Sequence, residues 1–557
     1  MLPSKSLVAT AAAAAFLAAC SSEAPPVEKV DTSISAADLG RRIETLASDD
    51  FEGRAPGTEG GQKASQYIAD EMERAGLSPM GDNGTYFQNV DLSEATVRKN
   101  ESSMSIHKAG EEAPLLTSDL KSNAVYWTKR LDETVSVEDS DLVFVGYGVT
   151  APEYGWDDYA DLDVEGKTVV ILVNDPGFAT QDDALFNGNA MTYYGRWTYK
   201  YEEAARQGAA AALIVHETAP ASYGWDVVSG SWTGAQYDLV RPDRGASRTA
   251  LEGWLHLDAA EDLFASAGLD YQSLKNQASV KGFKPVPLEG ISLDATIKQD
   301  VKTTTSRNVA GAVTGATHPD EYILYMAHWD HLGKNDELEG DDKIYNGAVD
   351  NATGTAAILE IGEAMAQGPA PERSVIFVAV TAEESGLLGS AYYAESPIVP
   401  LKQTVAGINI DAMLPTGQTK DLMVKGYGAS ELEDLLKAEL DTRDMYIVPD
   451  DKPEAGSYYR SDHISLAKKG VPMLYADPGN DHVTNGLTYG EDFAKEYNDV
   501  RYHKPGDEYD NSWDLSGITQ ATEIFYDLGL DMANSEEWPN WYQGTEFRAL
   551  RDEMRKN

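Results

Sequence analysis

The 557-residue chain has one cysteine, Cys20, so no disulfide can form within it. Basic residues are scarce: 45 Lys and Arg stand against 92 Asp and Glu, a formal net charge of −47. A field of that sign repels nucleic acid and anionic lipid, which excludes both as specific partners. The acidic residues are spread along the chain rather than gathered in a tail. They describe a soluble, repelling surface and not an acidic binding motif. No internal repeat is visible, and beyond the first twenty residues no apolar run is long enough to span a bilayer. What remains is a globular composition, 42% hydrophobic, in a chain longer than one core usually organises, so two domains are expected.

The one early apolar run, residues 7–19, follows Lys5 and is short and alanine-rich, which fits an export signal better than a permanent membrane helix. It ends in Leu17-Ala18-Ala19-Cys20, a string that resembles a bacterial lipoprotein box. The resemblance implies removal of residues 1–19, lipidation of Cys20, and a place in the cell envelope. Two serines and no aspartate follow the cysteine, which in such lipoproteins favours the outer membrane, facing the periplasm. The alternative is an ordinary cleaved signal with an accidental cysteine. Residues 20–33 are polar and Pro-rich, as a tether would be.

Residues 34–121 begin with two amphipathic helical patterns, over 36–47 and 61–76, separated by the turn-rich string FEGRAPGT at 51–58. Between 122 and 288 the pattern changes to short strands, as in DLVFVGYGV (141–149), KTVVILVND (167–175) and AALIVH (211–216), with one helix over 201–208. Six of the ten tryptophans fall in this segment, so it can pack a core of its own and reads as an inserted β-rich domain. His216 and His256 within it are isolated and read as structural or surface residues. From 289 to 545 strands and helices alternate as in a doubly wound α/β sheet, leaving 546–557 as a C-terminal tail. Its buried-strand runs are 322–327, 374–382, 405–411 and 472–477, and its helices 353–368, 430–440 and 517–534.

The chemistry-bearing residues of that half stand where such a sheet places active sites, at the carboxyl ends of strands. His328 follows one strand run directly, and Asp330, two residues on, points the same way and can support it. His331 should point elsewhere and reads as structural. Asp350 lies in a Gly-rich turn before a helix, and its two oxygens can reach two cations. Glu383 and Glu384 end an apolar run; adjacent side chains diverge, so one can ligate while the other faces a reacting water. Asp411 ends another strand, and His503 sits in a late loop with Pro505 and Gly506. Two histidines with two aspartates and a glutamate suit paired Zn²⁺, whereas calcium or magnesium would favour all-oxygen shells.

The strings AHWDHLG (327–333), GAVDNATG (347–354), TAEESGLLGS (381–390), NIDAM (409–413) and YHKPGDEYD (502–510) resemble those of metallopeptidase family 28. These are dinuclear zinc aminopeptidases related to glutamate carboxypeptidase. The resemblance extends to FEGRAPGTEGGQKASQYIADEM (51–72), and EYGWDDYADLDVEGKTVVILVNDPGF (153–178) is similar to the protease-associated domain often inserted in that family. So read, it covers most of the chain after residue 20 and implies a doubly wound mixed-sheet zinc-peptidase domain carrying an inserted β-rich domain. It assigns one zinc to His328, Asp350 and Asp411, and the other to Asp350, Glu384 and His503, with Asp350 bridging. Glu383 becomes the general base and Asp330 the partner of His328. Tyr502 matches a position that can hydrogen-bond the oxyanion, and Arg460 a substrate-contacting arginine. The family often has two aspartates where this chain has Asp350-Asn351, and its bridging aspartate tends to precede a cis peptide.

The implied activity is removal of N-terminal residues from peptides, with Glu383 passing the proton of the attacking water to the leaving amine. Three rivals share the fold. A glutaminyl-cyclase-like enzyme typically keeps one zinc, and here both His328 and His503 stand in full motif context. A carboxypeptidase acting on acidic peptides needs a basic pocket, which the overall charge disfavours except locally around Arg460. A non-enzymatic receptor normally loses ligands, and none is missing.

Overall fold

The computed structural model describes residues 34–232 and 234–556; Cys20, the signal and the tether lie outside the described residues. Ser35 opens the first helix, α1 (Ala36–Leu46), its hydroxyl accepting from the Asp38 N–H and so satisfying an amide the helix itself cannot. Thr58 does the same for α2 (Glu59–Ala75), accepting from the Gly61 N–H. That helix ends at Gly76, whose left-handed φ of 85° costs glycine little.

The chain then runs through β1 (Phe87–Val97), β2 (Ser103–Lys108), β3 (Ala124–Trp127), β4 (Thr134–Phe144) and β5 (Thr168–Leu172). Helix α3 (Trp197–Arg206), β6 (Ala211–His216), β7 (Leu251–His256) and the 28-residue β8 (Val286–Val313) follow. The C-terminal half contains β9 (His318–His328), α4 (Thr353–Gln367), β10 (Arg373–Val380), β11 (Thr404–Asn409), β12 (Met473–Pro478) and α5 (Ser516–Ala533).

Two sheets meet in β8. Its first half pairs with β2 and β4, continuing through β5, β6 and β7 to β3. Its second half pairs antiparallel with β1 and β10, and from β10 the parallel order β9, β11, β12 follows. One long strand serves both layers because its side chains keep alternating: Ile291, Leu293, Ala295 and Ile297 are all buried on one face. The β-rich sheet thus reaches back to Ser103, while Gln236–Leu239 pairs with β1 in the other sheet. Residues from Ile34 on pack as one compact unit.

The C-terminal sheet is covered on both faces. Ile323, Tyr325 and Ala327 of β9 join Val375, Phe377 and Ala379 of β10 in a core with α1, α2, α4 and α5. The alternate residues Leu324, Met326, Ile376, Val378 and Val380 join a second core on the opposite face, with Tyr393, Leu466 and Val471. Burial on both faces is why these strands are continuous apolar runs, and it makes this a doubly wound, mixed α/β sheet. The β-rich sheet has its own buried clusters, one around Phe144, Phe264 and Leu213, another around Trp127, Trp254 and Ile214. His216 and His256 have structural work there. His216 packs on Trp225 and Trp254, and His256 Nδ1 accepts from the Asp258 N–H at the start of a helix. Among the described residues no helix is long and apolar enough to cross a membrane.

Candidate metal centre

Parallel register brings three strand ends level. His328 stands opposite Val380 of β10, and Met326 opposite Asn409 of β11, so Asp411 arrives beside His328 and Glu383–Glu384 just beyond. Ala382 (φ 55°), Ala412 (φ 56°) and His503 (φ 55°) have left-handed backbones, which non-glycine residues rarely adopt and which concentrate at functional sites. The fourth contribution comes from the turn before α4, where the Asp350–Asn351 peptide is cis. Asn351 ties that turn to the strand ends: its amide donates to the Ile410 carbonyl (3.0 Å) and accepts from the N–H groups of Gly354 (2.8 Å) and Ala412 (3.1 Å).

The side chains form two groups that share Asp350. His328 Nε2 lies 3.1 Å from Asp411 Oδ1 and 3.2 Å from Asp350 Oδ1. His503 Nε2 lies 3.2 Å from Asp350 Oδ2 and 3.2 Å from Glu384 Oε2. The two oxygens of Asp350 therefore face different histidines. Glu383 belongs to neither group. Burial lifts its pKa well above the usual carboxylate range, and Glu384, Asp411 and Asp462 add to that against the opposing pull of His328. Burial alone would lower His328, but the Asp411, Glu383 and Asp350 carboxylates prevail and hold its pKa well above normal. Asp350 is the reverse: burial would raise it, yet hydrogen bonds from His328 and His503 keep it well below the ordinary value.

Asp330 supports the centre differently from the simple strand reading. The Nδ1 of His328 pairs with its backbone carbonyl (3.1 Å), while its carboxylate Oδ1 accepts from the Glu383 N–H (3.1 Å). Burial pushes this carboxyl up to about 6. Tyr502 stacks on the His503 ring with centroids 3.9 Å apart. Arg460 is exposed and lines the same cavity, of about 2710 Å³, as the two groups and Tyr502. His331 does not point away as expected. The turn after β9 ends the alternation, and its buried Nδ1 lies 2.6 Å from Glu384 Oε1.

Four further supports were not singled out from sequence. Ser461 donates to Asp411 Oδ2 (2.6 Å). Asp507 accepts from the N–H groups of Val349 (3.0 Å) and Asp350 (3.1 Å), fixing the bridging residue's backbone. Asp462 is buried near Glu383, and burial pushes its pKa up to about 7. Arg54 is fully buried, with its N–H groups spent on the carbonyls of Trp329, Leu46, Asn346 and Gly347. Burial draws it down to about 10 despite the opposing carboxylates, Asp330 first among them, so it stays a cation under the acidic cluster. The strings that contain them were the signal available: YYRSDH (458–463) for Ser461 and Asp462, HKPGD (503–507) for Asp507, and FEGRAPGT (51–58) for Arg54.

The donors fit metal ions. Two sets, His328–Asp350–Asp411 and His331–Asp350–Glu384, each have ligand atoms within 4.8 Å of one another, and His503 reaches the second. Mixed imidazole and carboxylate donors suit zinc. Buried carboxylates in such excess over cations demand a compensating charge, and Asp330 Oδ2 and Glu384 Oε1 have no hydrogen-bond partner.

The fold and donor set define a candidate metal centre at the carboxyl edge of an α/β sheet. Residues 308–528 match the family model described as Peptidase family M28. That match is narrower than the resemblance read from the motifs, and lies wholly in the metal-bearing half. The chain is 36% identical over 128 residues to mouse Aminopeptidase NAALADL1, covering 22% of this chain and 16% of that protein. It is 33% identical over 132 residues to the Glutamate carboxypeptidase 2 homolog of Caenorhabditis briggsae, covering 23% and 16%. The chain spans less than a quarter of the length of the curated relatives it matches. Among solved structures it is similar to an aminopeptidase from Aneurinibacillus sp. strain AM-1, with TM-score 0.47, 20% identity, and coverage of 90% of this chain and 93% of that one.

Proposed function

We propose that the chain is a zinc-dependent exopeptidase with two metal subsites, acting as an aminopeptidase on peptides. The observation that carries this reading is the shared Asp350, one oxygen toward His328 and Asp411, the other toward His503 and Glu384, with Glu383 outside both groups. His328, Asp350 and Asp411 would hold one zinc, and Asp350, Glu384 and His503 the other. When bound, the pair supplies Lewis-acid polarisation of a carbonyl and an acidified water. Glu383 takes the proton of the attacking water and returns it to the leaving amine; its raised pKa suits both transfers. Asp330 fixes the Glu383 backbone, and Tyr502, stacked on His503, would donate to the developing oxyanion. The β-rich segment would act as a protease-associated domain walling the substrate channel. The lipoprotein-like N-terminus would tether the enzyme through Cys20 to the outer membrane, facing the periplasm.

A carboxypeptidase reading has one observation in its favour. Arg196 and Arg460 line the same cavity, and among the described residues neither pairs with a carboxylate, although the chain has 92 acidic residues. Arg196 Nε is buried without a partner, and burial followed by the nearby Arg460 draws its pKa down to about 10. Two unpaired guanidiniums suit a substrate carboxylate. Purified protein should release nitroaniline from aminoacyl-nitroanilides, lose that activity to a chelator and recover it with zinc. Metal analysis should give two ions per chain. Turnover confined to peptides with an acidic C-terminal residue would replace the aminopeptidase reading with the second one. Turnover untouched by chelation would refute both.

A further inference from the structure

His331 is one residue past Asp330, and its side chain is completely buried. Its Nδ1 lies 2.6 Å from Glu384 Oε1, off the line of a regular hydrogen bond, and neither atom has another polar partner among the described residues. Glu384 divides its oxygens: Oε2 faces His503 at 3.2 Å, and Oε1 faces His331. The His331 ring also stands edge-on to the His503 ring, centroids 5.7 Å apart. It has little room to swing. A Cβ on Gly347 would meet its Cγ at 2.6 Å, and the Gly347 carbonyl is held by Arg54.

Resting on the two-subsite reading, we propose that His331 is a positioning residue for the second metal subsite. It holds Oε1 of Glu384 so that Oε2 is presented beside His503 and Asp350. A ring nitrogen of His331 lies within 4.8 Å of ligand atoms of Asp350 and Glu384, but the residue is assigned a positioning role and not that of a ligand because its Nδ1 addresses the carboxylate oxygen that does not face His503. A carboxylate with both oxygens free can rotate or bind in two ways; one with an oxygen held 2.6 Å from a buried imidazole nitrogen offers a single oriented donor. Among the described residues, the close contacts of His331 are with Glu384 and the His503 ring and not with His328 or Asp411, so its loss should leave the His328–Asp350–Asp411 subsite intact.

The test is metal binding, not turnover. Metal-free wild type, His331→Ala and His331→Gln are titrated with Zn²⁺ against a chromophoric chelator, with circular dichroism and thermal melts checking that each is folded. Co²⁺-loaded samples are compared by visible absorption. In His331→Ala the second ion should bind about 10–100-fold more weakly while the first keeps its affinity. His331→Gln, whose amide can still donate, should recover most of the loss. At saturating Co²⁺ the His331→Ala spectrum should match wild type. Unchanged affinity for both ions overturns this role alone, as does equal weakening of both ions in either folded variant. An altered Co²⁺ spectrum overturns it by making His331 a ligand. A wild-type chain that takes up only one ion overturns the two-subsite reading and this role together.

Discussion

Replacing Glu383 with Gln separates proton transfer from metal binding. The amide keeps the size of the side chain and removes only its ability to take a proton. Glu383 lies outside both donor groups, and its backbone stays fixed by the Asp330 carboxylate at 3.1 Å. Both ions should therefore bind as in wild type. General acid–base catalysis contributes about 10²–10⁴-fold. Glu383 is asked to act twice, on the water and on the leaving amine, so kcat should fall by about 10³-fold or more, equivalent to about 4 kcal/mol of barrier. The pH dependence gives a second measure. A base must be unprotonated to act, and burial together with Glu384 and Asp411 raises the Glu383 pKa. Wild-type kcat/KM should rise with pH along an acid limb as Glu383 loses its proton, and Glu383→Gln should lose that limb. Steady-state kinetics on an aminoacyl-nitroanilide, with metal content measured on the same samples, decides it. A Glu383→Gln enzyme holding two ions and turning over within tenfold of wild type would refute the assignment.

Ser461→Ala removes the 2.6 Å hydrogen bond to Asp411 Oδ2 and should weaken the first ion about 10–100-fold, with the second unchanged in the same chelator titration. Chelation should lower the melting temperature, because zinc at 100 times its Kd contributes about 2.7 kcal/mol to the folded state; a melt indifferent to chelator would contradict a structural load on the metals. Away from the centre, Arg42 is buried among Glu71, Glu360 and Glu363, and Arg42→Ala should cost about 3–5 kcal/mol in denaturant melts by leaving their charges uncompensated. Burial would raise the Glu71 carboxyl, but Arg74, Arg41 and Arg42 outweigh it and draw the pKa down to about 2. A depressed carboxylate contributes stability above its unfolded pKa of about 4.5 and loses it as pH falls toward 2. Glu71→Gln should flatten the stability profile in that window.

Much of the fold was legible because its strands are buried on both faces. The run 322–327 is apolar at every position, and the alternation into two cores follows from that. The expected strand AALIVH at 211–216 matches β6 end to end. The helix expected over 201–208 instead spans Trp197–Arg206, its start hidden by aromatic residues that carry no capping signal. The β-rich layer extends beyond 122–288 because strand pairing joins Ser103–Lys108 to it, and pairing partners far apart in sequence leave no local mark.

For the centre, sequence alone picked out the candidate residues. His328, Asp350, Glu383, Glu384, Asp411 and His503 are named by residue type at the ends of apolar runs or in turns beside them, and local patterning is enough to find such places. Only the tertiary structure decided how they combine. Parallel register sets His328 level with Asp411, and the turn before α4 aims the two oxygens of Asp350 at different histidines. It also decided that Arg54, distant in the chain, lies under the acidic cluster, and that His331 turns toward Glu384. Alternation along an extended strand predicts side-chain direction only while the strand lasts; past its end, direction is set by turns and by packing against residues hundreds of positions away.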